Sequence, residues 1–373
     1  MESNKFIKPM AFYFPQFHKM PENDKLWGNG FTEWNNLKSW TPKFQGHELM
    51  KPEWGFYDLE NKEIRSKQYA YAREIGMYGF VHYHYWFPNK EEPRVMHKVT
   101  EAMLDDEDRL PFALMWANES WKNTWYGKDQ DVFLKQEYGD KKDWEIHSDY
   151  LIKIFKNDKY IKVNNKPVFL IYRSNDSIKK IVAFLEVLNR KCLENNFGGV
   201  YAVESMDHRN TQSNSKIFSA NSEFNPNFIK RYGINTNLKS QKNVTIMNSK
   251  LKMNLISKKN NASSKNYIKC VYNGWDCSPR SYARRAYVDS EITKADLILQ
   301  YAESTLTSFE YHNNTGIILN FAWNEWGEGA IVEPDTVRGA MVGDAHKEVF
   351  NVNFKTLNEY KDYLRNLIRK YKG

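Results

Sequence analysis

The chain has 373 residues, enough to bury a full core without help from disulfides or metals. Lys and Arg number 54 against 46 Asp and Glu, a formal net charge of +8, and 41% of residues are hydrophobic, which is ordinary for a globular protein. With 12 Trp, 23 Tyr and 22 Phe the chain is too aromatic to be largely disordered, and no apolar run approaches the roughly 20 residues of a membrane span.

The first residues, Met1-Glu2-Ser3-Asn4-Lys5, run straight into an apolar segment of strand length. They lack the apolar core and small-residue cleavage site of a signal peptide, so a cytoplasmic location is expected. Cys192, Cys270 and Cys277 are odd in number and show no CxxC spacing, which points to neither a disulfide framework nor a zinc knuckle.

Taken in chain order, short apolar runs alternate with helical periodicity. A strand is predicted over 9–14, then a helix over 64–75 that stops at Gly76, then strands over 79–85 and 111–116. The acidic run Asp105-Asp106-Glu107-Asp108, just before 111, reads as a solvated turn. A helix over 144–155, a strand over 167–172, a helix over 178–195 and a strand over 199–203 follow. A weak strand near Phe224, a strand over 267–272, a helix over 295–312, a strand over 317–323 and a closing helix within 354–373 complete the chain. Eight strands alternating with helices predict a single-domain (β/α)8 TIM barrel with elaborated loops over 1–373, with its site at the strand C-terminal ends.

The charge is local. From Phe224 to Trp275 there is no Asp or Glu, while ten basic residues lie between Lys230 and Lys269. The composition of approximately 229–266, rich in Asn, Ser and Lys, reads as a basic, polar insertion or mobile loop whose deletion over about 241–265 would leave the fold intact. A sharper reading is a surface for an anionic carrier or a membrane face. Aromatics are not interleaved with these lysines, so nucleic acid is not expected as a partner.

The predicted strand ends hold polar residues mixed with Trp and Tyr: His82-Tyr83-His84-Tyr85-Trp86, Trp116-Ala117-Asn118-Glu119, Tyr172-Arg173, Glu204-Ser205, Trp275-Asp276 and Trp323-Asn324-Glu325-Trp326-Gly327-Glu328-Gly329. Sugar rings pack their C–H faces on aromatic planes, while their hydroxyls need carboxylate, amide or imidazole partners. Any one tryptophan is as readily explained by core packing. Glu325 and Glu328, three apart beyond the last strand, supply the two carboxylates that glycosidic bond cleavage requires. His82 and His84 share one strand face and could hold a divalent metal with Glu119, Glu204 or Asp276. No further His or Cys cluster follows, so no metal is expected and His84 is read as a hydrogen-bond partner of substrate.

Five motifs in order carry a resemblance: Phe14-Pro15-Gln16-Phe17-His18, Trp27-Gly28-Asn29-Gly30-Phe31-Thr32-Glu33-Trp34, Gly79 to Phe87, Trp116-Ala117-Asn118-Glu119, and Trp323 to Gly329. Together they resemble the WbsX family, which is similar to glycoside hydrolase family 99, the endo-acting α-mannosidases and α-mannanases. The resemblance implies a (β/α)8 barrel, no cofactor, and an enzyme of bacterial O-antigen or capsule polysaccharide metabolism. It implies that Glu325 acts as base on the sugar 2-hydroxyl and Glu328 as acid, then base, in a retaining cleavage or transglycosylation. Substrate contacts are expected from His84, Trp86, Trp116, Glu119, Tyr172, Glu204, Trp275, Asp276, Trp323, Asn324 and Trp326. The alternatives are a glycosyltransferase of O-antigen or capsule biosynthesis and a catalytically silent glycan-binding barrel.

Overall fold

The structure, a computed structural model, describes residues 6–88, 90–123, 128–210, 216–258, 266–281, 284–311 and 313–372. Its centre is a parallel barrel: β1 Lys8–Tyr13, β2 Gly79–Trp86, β3 Phe112–Trp116, β4 Lys166–Ile171, β5 Tyr201–Met206, β6 Ala220–Glu223, β7 in two pieces (Tyr267–Ile268 and Cys270–Tyr272) and β8 Ile317–Phe321. Neighbours pair in sequence order from β1 to β6, and β8 returns to β1. The ring closes through β7, whose first piece pairs with β6 and whose second pairs with β8 on either side of Lys269. This is the (β/α)8 barrel.

Helices cover the strands: α1 Lys62–Glu74, α2 His97–Met103, α3 Lys141–Phe155, α4 Ile178–Glu194, α5 Ser249–Ser257, α6 Lys294–Glu310, α7 Met341–Phe350 and α8 Leu357–Lys372. Helix α3 begins three residues ahead of the predicted 144. Asp140 and Asp143 form a reciprocal capping box that satisfies the first free N–H groups, as Thr293 and Asp296 do for α6. None of the helices among the described residues is long and apolar enough to cross a membrane.

Two expectations from composition take a different form. Asp106 is buried, not solvated: Arg65 of α1 grips both its oxygens, at 2.7 and 2.8 Å, and Tyr69 Oη donates at 2.9 Å. The basic stretch contains regular structure. Asn237–Ser240, Val244–Met247 and Ala286–Asp289 form a small three-stranded sheet, and α5 packs against α6. Lys252 and Lys269 are buried in ion pairs with Asp289 and Glu223, each at 2.6 Å. Lys259 and Lys265 lie outside the described residues.

Alternation along the strands decides what faces the barrel axis. Phe12, Tyr83, Phe224 and Phe321 meet inside it, with ring centroids 5.1 to 6.1 Å apart. This aromatic plug forms the floor on which the site rests.

Candidate active site

At the strand C-terminal ends a cavity of about 690 Å³ opens above that floor. Its walls are aromatic: Phe14 after β1, Tyr83 and Tyr85 of β2, Tyr172 after β4, Phe224 after β6 and Trp275 after β7. A hairpin, Trp121–Asn123 against Lys128–Leu134, and Trp27 from the β1–α1 segment form its rim. A second hollow of about 430 Å³ adjoins it across Trp275 and Asn227.

Glu325 and Glu328 line the cavity and meet at one residue, Arg280, on the loop after β7. Arg280 Nη1 donates to Glu328 at 2.7 Å and Nη2 to Glu325 at 3.1 Å. Behind them sits a third carboxylate, Glu33, which takes a 2.8 Å bond from Nη2 and a second bond from Nε. The guanidinium lies 5.4 Å from the centre of the Phe14 ring. Glu325 is almost enclosed, its side chain 7% exposed, whereas the Glu328 side chain is 23% exposed.

Burial disfavours charge on both glutamates and raises both above the ordinary carboxylate range. Arg280 opposes this, while Glu33 pushes both further up and Glu328 does the same to Glu325. One arginine among three carboxylates therefore favours retention of a proton at this end of the cavity.

The sequence-predicted residues divide between two places. Glu325, Glu328, Glu119, Tyr172 and Trp275 line the cavity. Glu119 stands half-exposed at the rim, 3.5 Å from Arg173, which also stacks on Tyr172 and donates to its hydroxyl at 2.7 Å. Trp275 lies against Phe321 at 6.0 Å with its plane nearly parallel.

The others face away. His84 and Trp86 occupy the even positions of β2, which point to the helices. His84 Nε2 lies 2.8 Å from His147 Nε2, and Trp86 stacks on His147 at 4.3 Å. Burial lowers His84 to about 3, which favours the neutral ring, and the residue does not line the cavity. Trp116 packs against His147 and Phe184 of α4. Glu204 is buried on the outer face of β5, bonded to Ser174, Asn210 and Asn221. Asp276 is buried behind Glu328. It binds His47 at 3.0 Å and the Ser278 amide at 2.8 Å, and its own amide donates to the Glu328 carbonyl at 2.7 Å. Trp323 and Trp326 both donate to buried Glu333 at 2.9 Å. Asn324 clamps the Phe14 backbone, accepting from its N–H at 2.8 Å and donating to its carbonyl at 3.0 Å. These residues support the site and do not line it. His82 points outward to Thr100, and among the described residues no group of three or more His, Cys, Asp or Glu is placed to hold a metal.

Sequence reasoning missed Arg280, Glu33, Tyr83 and Tyr85. The tyrosines stand in the same run as His84 and were open to discovery by parity. Glu33 sits inside one of the family-like motifs, but Arg280 lies in a loop without any local signal.

A family model described as Glycosyltransferase WbsX matches residues 9–342. The uncharacterized protein WxcX of Xanthomonas campestris pv. campestris, from two strains, is 29% identical over 354 residues, which cover 91% of this chain and 49% of the relative. The chain thus spans about half the length of the curated relatives it matches. Among solved structures, a protein described as glycoside hydrolase-like aligns with a TM-score of 0.57 and 13% identity, over 95% of this chain and 96% of the other. A family 99 endo-α-mannosidase from Bacteroides thetaiotaomicron, solved with bis-tris-propane, aligns with a TM-score of 0.52 and 11% identity, over 99% and 98%. At such identities the structural likeness is one of fold.

Proposed function

The chain belongs to the WbsX family, carbohydrate-active enzymes, and from that premise we propose that it breaks or transfers a glycosidic bond in a bacterial surface polysaccharide or its precursor. The observation that carries this reading is the convergence of Glu325 and Glu328 on one guanidinium in an aromatic-walled cavity. Glu325 takes the proton of the sugar 2-hydroxyl as that oxygen closes on the anomeric carbon. Glu328 gives its proton to the departing glycosidic oxygen. Water or a sugar hydroxyl then adds to the anomeric carbon, losing its proton to Glu328, as the bond from that carbon to the 2-oxygen breaks and Glu325 returns a proton to the 2-oxygen. Two inversions give net retention. The more exposed Glu328 suits the acid, which must reach the leaving group.

Charge supports a reacting sugar that develops positive character. Glu33, Glu325 and Glu328 face a single arginine there, an environment hostile to the diphosphate of a nucleotide-sugar donor. The family's description as glycosyltransferase favours a second outcome of the same chemistry, in which a sugar hydroxyl replaces water as acceptor. Trp275, between the two hollows, supports a chain of more than one sugar unit. The exposed lysines of the basic stretch, Lys230, Lys239, Lys242, Lys250 and Lys258, suit an anionic carrier or membrane face, and we take the cytoplasm as the site of action.

The test is incubation with a panel of bacterial surface polysaccharides and lipid-linked intermediates, with product size read by mass spectrometry. Shortened chains mark hydrolysis and lengthened chains mark transfer. Glu328→Gln is expected to lower the rate on the order of a hundredfold or more, with activated leaving groups spared. Equal loss on activated and natural substrates removes the acid role.

A further inference from the structure

Glu33 does not line the cavity, yet it is fully buried at the start of the short helix Trp34–Lys38. A carboxylate buried there carries a desolvation cost that only good pairing offsets. Both its oxygens are spent on Arg280, whose remaining donors reach Glu325 and Glu328. The fork of the guanidinium is therefore fixed from behind by one carboxylate and presents its open edge to two others. The packing is close: the backbone of Gly327, between the two glutamates, leaves no room for a side chain against the Glu33–Arg280 pair.

We infer that Glu33 is a positioning residue for the catalytic pair: it anchors Arg280 so that one guanidinium sets the spacing of Glu325 and Glu328 while dividing its single charge among three carboxylates. This rests on the reading of Glu325 and Glu328 as the reacting carboxylates. Burial disfavours charge on both members of the pair, Arg280 opposes it, and Glu33 adds to the upward push. By taking a share of the Arg280 charge, Glu33 favours retention of a proton on the pair. The other groups facing the pair do not supply this balance. Tyr83 and Tyr85 of β2, Tyr272 of β7 and Cys277 after it are all raised by burial and stay neutral. Glu119 pushes Glu328 up from the cavity rim, and Lys230, which lines the second hollow, is a second cation that interacts with Glu328.

The experiment follows the carboxyl carbon resonances of glutamate in ¹³C-labelled protein through a pH titration. Glu325 and Glu328 are assigned by the signals lost in E325Q and E328Q. In folded E33Q both titrations are expected to move to lower pH by about one unit or more, the scale of one neighbouring charge. Any glycan turnover should move its pH optimum the same way. Glu33→Asp, which keeps the charge, should leave the midpoints within a few tenths of a unit. A merely structural role lowers the melting temperature without moving either midpoint, and that result overturns the inference. If E33Q does not fold, Arg280→Met decides: loss of the cation must raise both midpoints, and unmoved midpoints again overturn it. Absence of turnover in the wild type on every glycan defeats the proposed reaction but leaves the titration readout intact.

Discussion

Gly327 and Glu33 approach so closely that a Cβ built on the glycine would stand 2.1 Å from Glu33 Oε1 and 2.5 Å from Arg280 Nε. Neither neighbour is a loose side-chain end, because each is held by the other. Gly327→Ala must therefore push the pair apart. Overpacking of this kind costs about 1–3 kcal/mol. It should also displace the guanidinium from Glu325 and Glu328, with a loss of turnover on the order of tenfold or more, since small misplacements at a reacting centre are costly. Thermal unfolding and glycan turnover measure the two effects. A variant that melts and reacts like the wild type would show that this contact does not constrain the site.

Tyr85 and Trp86 are adjacent, and strand alternation gives them opposite duties. Trp86 packs between His147 and Tyr150 under the helices, whereas Tyr85 lines the cavity and meets Trp121 edge-on at 5.4 Å. Trp86→Ala should cost about 3–5 kcal/mol of stability and leave the saccharide affinity of the folded fraction unchanged. Tyr85→Ala should weaken saccharide binding at least several-fold with a smaller loss of stability. Calorimetric titration with a bound oligosaccharide, beside denaturant unfolding, separates them. If Trp86→Ala proves the one that loses affinity, the inward parity of Tyr85 carries no functional weight.

That pair also explains what could be read without coordinates. The barrel was legible because each strand is a short apolar run bounded by polar residues, and predicted and observed strands differ by only a residue or two at most ends. Strand β7 is legible even though it is broken at Lys269, since apolar residues flank that lysine on both sides. Helix α2, with seven residues, α5, inside the basic stretch, and α7 escaped because they are short or polar and draw their stability from packing. Of the cavity lining, the carboxylates Glu325 and Glu328 were legible and the aromatic walls largely were not. Motif density marks a strand end without telling which face of the strand turns inward, so His84, Trp86 and Trp116 stood in for Tyr83, Tyr85 and Met115. Arg280 reaches Glu33 across 247 residues of chain, a contact that only the closed barrel creates.

Glu333 gives the stability a dependence on pH. It is buried and accepts from Tyr57 Oη and Gln68 Nε2, both at 2.6 Å, and from Trp323 and Trp326 at 2.9 Å. Burial nevertheless raises it from the ordinary 4.5 to about 7. The folded state thus binds the proton more tightly than the unfolded chain. The resulting stabilisation is fully present below pH 4.5 and is lost as pH rises through about 7. Its size is roughly 3 kcal/mol. Denaturant unfolding between pH 5 and 8 should show the wild type losing stability faster than Glu333→Gln across this window. An equal slope in the two proteins would locate the pH dependence elsewhere.

The basic stretch provides the clearest case in which composition and structure give opposite predictions. As a polar insertion it could be removed over about 241–265 without harm. Yet Val244–Met247 is the middle strand of its sheet, paired with Asn237–Ser240 on one side and Ala286–Asp289 on the other. Helix α5 beside it sends Lys252 inward, where Nζ donates at 2.6 Å to both Asp289 and the Tyr272 hydroxyl. Removal of the lysine leaves Asp289 buried without its counter-charge, which costs about 3–5 kcal/mol. Lys252→Met alone should therefore lower the melting temperature markedly, and Lys252→Met with Asp289→Leu should recover part of the loss, because the uncompensated charge goes with its partner. The full deletion should abolish a cooperative transition. A deletion protein that melts cooperatively near the wild-type temperature would mean that the sheet and helix are an appendage to the barrel and contribute nothing to its stability.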